Sequence, residues 1–510
     1  MYIHNGALLH APSDLVRFLG CGHATALHLL QATDPDAAPD KAADGDLNVL
    51  TQKAGLKHEE TYRQFLEAKG GLIEIETTGT LEERAAATIA AMESGAQSIF
   101  QAAFLCPPWH GYADFLIRVE EPSSLGAWSY EPVDTKLACT PKASHIVQLG
   151  LYARMMGQVQ GDLPRRIHVA TGDGQTHSFR LNLFSHVLRA AQRRYLDFIA
   201  SGAPASRPEP CDACDLCAWR DHCNAEWESA DHLSLVAGLG RPQAEKLRKA
   251  GIVTLGELAT MEEGTRVPRM AQATLGKLQA QARLQQARRE GGGPCVEPLP
   301  LEEGRGFHTM PPPDPADLFF DLEGDPLEEG GLDYLWGLHF RDGSLPAFRF
   351  EWAHDHEAER AAFESMIDWI AQHLRDHPGA HVYHYAPYEI TSLRRLSTLH
   401  ASREDLLDDL LRQRRFVDLY GVLRQSIRTS EPDLSLKTME IFFAEKRDQA
   451  VVKADQSIVE YKSWQETGNQ AILDGILEYN RVDCENTEAL RDWLVSLRMA
   501  DLPWREIGPA

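Results

Sequence analysis

The chain has 510 residues, with 51 Lys and Arg against 75 Asp and Glu, a formal net charge of −24 and 43% hydrophobic residues. That length and ordinary apolar content exclude global disorder and allow several separate cores. The acidic surplus excludes attraction of nucleic acid by bulk charge, so any such role needs local basic strips or metal ions that screen clustered carboxylates.

The opening MYIHNGALLHAPSDLVRFLG lacks a basic segment followed by a continuous apolar run, and no later stretch approaches a membrane span. A cytoplasmic chain with no membrane contact is expected. The Pro-rich SGAPASRPEP at 201–210 leads into a cysteine cluster, and EGGGPCVEPLPLEEGRGFHTMPPPDP at 290–315 has the Gly/Pro content of a linker. The expected organisation is therefore an α/β domain over 1–230, a small all-α module over 231–289, a linker over 290–315 and a second α/β domain over 316–510.

In the first block, LNVLTQKAGLKHEETYRQFLEA has helical periodicity, HGYADFLIRV and WSYEPVDTKLA read as strands joined by EEPSSLGA, and SHIVQLGLYARMMGQV returns to helix. Asp134 and Lys136 stand two apart on a strand and face the same way, and Asp114 lies on the partner strand. Two carboxylates and an ammonium supply hard ligands for a divalent cation and positive charge for a phosphodiester. His58 is a helical imidazole, a candidate to complete such a shell, and Gln148 and Tyr152 are i,i+4 neighbours on one helical face.

The succession G-x-x-H, G-x-x-D, D-x-K, Q-x-x-x-Y resembles the RecB-like branch of the PD-(D/E)xK nucleases. The resemblance implies that His58, Asp114 and Asp134 bind Mg²⁺ or Mn²⁺, that Lys136 orients or activates the attacking water, and that Gln148 and Tyr152 contact nucleic acid.

Cys211, Cys214, Cys217 and Cys223 crowd into a short segment, which in an intracellular chain points to metal or iron–sulfur ligation rather than disulfides. Cys214, Cys217 and Cys223 have the spacing C-x2-C-x5-C, and Cys21 in FLGCGH is the best remote candidate for a fourth ligand. This looks like the iron–sulfur staple of RecB-like nucleases of the AddB type and their CRISPR-associated relatives, which implies a 4Fe-4S cluster closing the two ends of the domain. Structural Zn²⁺, with Cys211 as a fourth local thiolate, is the alternative.

The segment GLGRPQAEKLRKAGI resembles a helix-hairpin-helix. Gly238 and Gly240 permit a tight turn whose N–H groups hold a phosphate without reading bases, and Lys246, Arg248 and Lys249 add positive charge. A second basic strip is expected at Arg412 to Arg415.

The third block opens with the strand DLFFDLEGD and ends with the helix ILDGILEYNRVDCENTEALRDWLVSLRM. Asp321 and Glu323 share one strand face, Tyr479 and Asp483 are i,i+4 on the helix, and VYHYAPYEITSLRRL supplies His384, Tyr388 and Glu389 between them. Four carboxylates converging from strand ends and a helix suit two divalent cations and in-line attack of water, which Tyr479 would orient. The pattern resembles the DEDD exonucleases of the ribonuclease-H-like fold in the Y-x-x-x-D subgroup, with Glu389 where that family usually has Asp.

The order of parts resembles a family of bacterial RecB-like nucleases across nearly the whole chain. It implies a metal-dependent nuclease acting on DNA, at single-stranded ends or flaps. Two alternatives stand beside it: a nucleic-acid-binding scaffold with inactive sites that positions a partner helicase, and an RNA-processing exonuclease. With no G-x-x-x-x-G-K-[ST] in the sequence, unwinding, if the function needs it, is expected from a superfamily 1 helicase partner or a further C-terminal region.

Overall fold

The computed structural model describes residues 1–203, 206–444 and 454–506. The chain divides into two compact units, Met1–Ser229 and a second from Ala230 onward. Among the described residues no helix is long and apolar enough to cross a membrane.

The first unit is built on a six-stranded mixed sheet. Its strands, in spatial order, are Leu72–Glu74, Ser98–Cys106, Trp109–Val119, Ser129–Lys136, Arg166–Thr171 and Thr176–Arg180. The two strands expected from HGYADFLIRV and WSYEPVDTKLA are antiparallel neighbours, with Phe115 opposite Val133. Ser129–Lys136 sits in the middle of the sheet and is buried on both faces, which hides the alternation of an edge strand. The helix Ala143–Gln160 packs on the sheet and is apolar nearly all round, contributing Ile146, Leu149, Leu151, Met155 and Met156 to the main core. The long helix Asp46–Lys69 carries His58 and Glu59. The helix Gly22–Thr33 contributes Ala24 and Leu27, which pack around the fully buried Trp219 together with Cys21, Cys217 and Cys223.

The second unit begins with a small helical module. Its core of Leu233, Val236, Leu247, Leu255, Leu258, Leu275 and Leu278 is contributed by a 3-10 turn at Leu233–Leu235 and the helices Arg241–Lys249, Leu255–Thr260 and Gln272–Arg289. A helix-hairpin-helix has a helix before its turn, here the segment preceding GLG. The structure has only the three-residue 3-10 turn there, opened by the His232 side chain, which accepts from Ser234 N. Gly238 adopts φ +74°, a conformation that side chains disfavour, and lets the chain reverse into the helix that Gly240 precedes.

The rest of the unit is a five-stranded sheet in the order Leu345–Trp352, Leu332–Asp342, Leu318–Asp325, Val382–His384, Phe416–Asp418. The first three strands are antiparallel and the last two run parallel to Leu318–Asp325. Strand alternation sorts LFFDLEG by face. Leu318, Phe320 and Leu322 join the core with Phe363, Met366 and Ile370 of helix His356–Asp376, while Phe319 joins the opposite core with Leu490 and Leu494 of helix Gln470–Leu497. Asp321 and Glu323 share the second face, beneath that helix.

The segment 290–315, expected as a linker, is held against this domain. Val296–Pro298 pairs antiparallel with Ile427–Thr429, and Phe307 and Met310 are buried in the core beside Leu419 and Leu423. Its Gly and Pro residues read as a tether, but two apolar side chains spaced along it bury enough surface to dock it.

Candidate active sites

In the second unit, the central strand delivers Asp321 and Glu323 and the long C-terminal helix delivers Asp483. One carboxylate oxygen from each lies within 4.8 Å of the others. Glu323 is buried and accepts from Ser457 Oγ at 2.7 Å. Asp321 Oδ2 accepts from Asn480 Nδ2 at 2.7 Å. Burial, with Asp483 and Glu389 nearby, pushes the Glu323 carboxyl up to about 8. Burial and then Glu323, Asp483 and Glu389 raise Asp321 well above the carboxylate range, against the Asn480 hydrogen bond. Hard oxygen donors this close, taken from water and repelling one another, form a set that a divalent cation would neutralise.

Two glycines leave room beside these carboxylates. Gly337 lies opposite Asp321 on the neighbouring strand, and a Cβ there would fall 1.7 Å from Asn480 Oδ1. Gly324 follows Glu323 at a bulge, and a Cβ there would fall 2.0 Å from the Tyr388 hydroxyl.

Glu389 enters at the start of helix Tyr388–His400, just past the strand Val382–His384. The turn between them places Ala386 at φ +71°, held by Asp418 Oδ1 accepting from its N–H at 3.1 Å and by the His384 ring donating from Nδ1 to its carbonyl at 2.8 Å. Glu389 is 3% exposed, its Oε2 lies 3.4 Å from His384 Nδ1, and burial raises its pKa. It stands close enough to bias Asp321 and Glu323, yet outside their tight oxygen cluster. Tyr479 is 7% exposed and hydrogen-bonded to Asp483; burial, then Asp483, raises its phenol. Tyr388 is drawn away from this site, donating to Asp333 Oδ1 at 2.7 Å.

In the first unit, Lys136 Nζ lies 2.7 Å from Asp134 Oδ2, and Asp134 is 1% exposed. Asp114 Oδ2 accepts from the Thr135 N–H at 3.0 Å, which pins it beside the same strand. Burial and Asp114 raise the Asp134 carboxyl; burial lowers Lys136, but Asp134 and Asp114 outweigh it and hold the ammonium above its usual value.

The fourth charged member is Glu59 rather than His58. Burial and Asp114 raise Glu59, which accepts from Gln101 Nε2 at 2.7 Å and also acts on Lys136. His58 Nε2 instead lies 3.4 Å from the carbonyl of Ala170, one strand further over. Adjacent helical residues point about 100° apart, so the choice within HEE turns on helix rotation, which spacing alone leaves open. Tyr152 is 5% exposed, hydrogen-bonded to Gln148 and close to Asp114 and Asp134. Gly111 makes room for it, since a Cβ there would lie 2.8 Å from the Tyr152 ring.

The five cysteines Cys21, Cys211, Cys214, Cys217 and Cys223 line one cavity of about 680 Å³ with Trp227 and Arg220. Cys211 and Cys214 have sulfurs 3.8 Å apart. Of the basic strips, Lys249 is exposed and Lys246 partly so. Arg412 to Arg415 departs from expectation: Arg415 is buried and donates to the carbonyls of Pro378 and Ala380, and Arg412 pairs with Asp408 at 2.5 Å. A run of arginines reads as a solvated strip, but here one of them satisfies loop carbonyls inside the fold.

A family model of the RNase H superfamily, RNase_H_2, matches residues 318–495. No curated protein matches the chain. The matched range spans the five-stranded sheet, the Asp321, Glu323 and Asp483 cluster and nearly all of the C-terminal helix. The second unit thus carries an RNase-H-like domain, a nuclease-type fold.

Proposed function

We propose that the chain is a metal-dependent nuclease that hydrolyses phosphodiester bonds of DNA, with its principal centre at Asp321, Glu323 and Asp483. The observation that carries this reading is the convergence of these three carboxylates from the central strand and the C-terminal helix of an RNase-H-like domain. Mg²⁺ or Mn²⁺ bound there would supply a polarised water and charge neutralisation at the phosphate. Asp321, Glu323 and Asp483 hold the cations, and Glu389 adds negative charge at the rim. Tyr479 orients the water through its phenol, next to Asp483, and Asn480 and Ser457 keep Asp321 and Glu323 in place.

The first unit provides a second hydrolytic centre in this reading, of the RecB-like PD-(D/E)xK kind. Asp114, Asp134 and Glu59 are its acids, Lys136 its positive charge, and Gln148 faces the nucleic acid while the buried Tyr152 acts as a positioning residue. What supports it is the Asp134–Lys136 pair beside Asp114 on adjacent strands.

The cysteine cavity holds a 4Fe-4S cluster in this reading. Its support is that Cys21, Cys214, Cys217 and Cys223 line one cavity. Structural Zn²⁺ is the alternative, since the Cys211 and Cys214 sulfurs have the separation of about 3.8 Å that two thiolates on one tetrahedral zinc would have. The helical module, with Gly238 and Gly240 at its turn and Lys246 and Lys249 beyond, grips the phosphate backbone as a helix-hairpin-helix.

Purified protein incubated with labelled single-stranded, duplex and flapped DNA, and with RNA, in Mg²⁺ or Mn²⁺ tests the function. Cleavage that persists undiminished in an Asp134→Asn/Asp321→Asn variant overturns it. Preference for RNA in direct competition would reassign the substrate.

A further inference from the structure

A further cluster of ligand-type side chains lies outside both acidic sites. His23 stands in the helix Gly22–Thr33, and His222 and Glu226 stand in the helix Arg220–Ser229. One ring nitrogen from each histidine and one carboxylate oxygen of Glu226 lie within 4.8 Å of one another. We infer that these residues bind a single transition-metal dication of the Zn²⁺ class through nitrogen and oxygen, beside the cysteine cavity that His23 also lines, and tie the two ends of the first unit together.

His222 and Glu226 are one helical turn apart and so lie on one face. Their Nε2 and Oε1 are 3.2 Å apart, close to the roughly 3.3 Å expected between two ligand atoms each about 2.0 Å from one tetrahedral zinc. The second observation is independent of that pair. His23 is 9% exposed, and its Nδ1 lies 3.0 Å from Ser206 Oγ. With Ser206 accepting from Nδ1–H, the ring's lone pair falls on Nε2, which is buried without a hydrogen-bond partner. A buried imidazole nitrogen left unpaired is costly, whereas a histidine whose other nitrogen is fixed by a hydroxyl is oriented to ligate metal. The His23 and His222 rings are also nearly parallel, 8° apart with centroids 6.5 Å from each other.

The donor set chooses the ion. Two imidazoles and one carboxylate suit zinc and its neighbours, while Mg²⁺ and Ca²⁺ require oxygen ligands throughout. Glu226 is 45% exposed, so solvent reaches the cluster and supplies the fourth ligand. Residue 23 and residues 222 and 226 are separated by nearly the whole unit, so a shared ion restrains a long loop and adds its binding free energy to folding.

The test uses the full chain, stripped with a mild chelator and titrated with Zn²⁺ or Co²⁺. One equivalent should bind with a nitrogen and oxygen shell in X-ray absorption, and Co²⁺ should give a ligand-field spectrum without thiolate charge-transfer bands. Glu226→Gln and His222→Ala should each lose that equivalent while iron content and far-ultraviolet circular dichroism stay unchanged. Zinc should raise the melting temperature of the native chain and not that of Glu226→Gln. Because Glu226 is partly solvent-facing, its variant decides the matter even if His23→Ala fails to fold. Equal zinc content in native chain and Glu226→Gln, or a shell made only of sulfur, overturns the inference.

Discussion

Asn480 reaches Asp321 only because residue 337 is glycine. The amide donates to the carboxylate at 2.7 Å across the space a Cβ at 337 would fill. Gly337→Ala should therefore displace Asn480, cost about 1–3 kcal/mol of stability from overpacking, and weaken cleavage by releasing Asp321 from its hydrogen bond. Denaturant melts of Gly337→Ala, Asn480→Ala and the double variant read this directly. The double variant should recover part of the stability lost by Gly337→Ala but none of the activity, a coupling expected of groups in contact.

Glu59 should matter more than His58 to the first centre. On an Asp321→Asn background, which silences the second unit, Glu59→Gln should raise the Mg²⁺ or Mn²⁺ concentration for half-maximal cleavage by about 10- to 100-fold, a range typical for groups that support metal ligands. His58→Ala should move it less. A larger effect at His58 would place the imidazole, not the carboxylate, at the metal.

Acid should unfold the second unit partly through His381. This side chain is fully buried, and burial, with Arg505 and Arg415 nearby, lowers its pKa to about 4 from a usual 6.5. The unfolded chain then binds the proton first as pH falls, so stability is lost between about 6.5 and 4, by about 3 kcal/mol at most for one group. Melting temperatures from pH 7.5 to 4 should show a shallower fall in His381→Leu than in the native chain.

Much of the second acidic site was legible in the residues. Alternation in LFFDLEG put Asp321 and Glu323 on one strand face, and Y-x-x-x-D put Tyr479 and Asp483 on one helical face. Asn480, one residue past Tyr479, was not legible, because its role depends on Gly337 across a strand register that local sequence does not set. Ser457 reaches Glu323 from a separate helix, and no spacing rule links them. The docked segment around Phe307 and the internal role of Arg415 were hidden for a related reason: composition describes a stretch of chain, while burial is decided by what packs against it.

The most direct measurement is cleavage of labelled DNA by Asp134→Asn, in which the first centre is disabled, against Asp134→Asn/Asp321→Asn and Asp134→Asn/Asp483→Asn, each with Mn²⁺ and with chelator. The single variant should cleave in a metal-dependent manner, and either double variant should lose at least about 100-fold, the order expected when electrostatic stabilisation of a transition state is removed. Unchanged cleavage in both double variants, or no cleavage by the single variant with any divalent cation or nucleic acid, would contradict a nuclease centre at Asp321, Glu323 and Asp483.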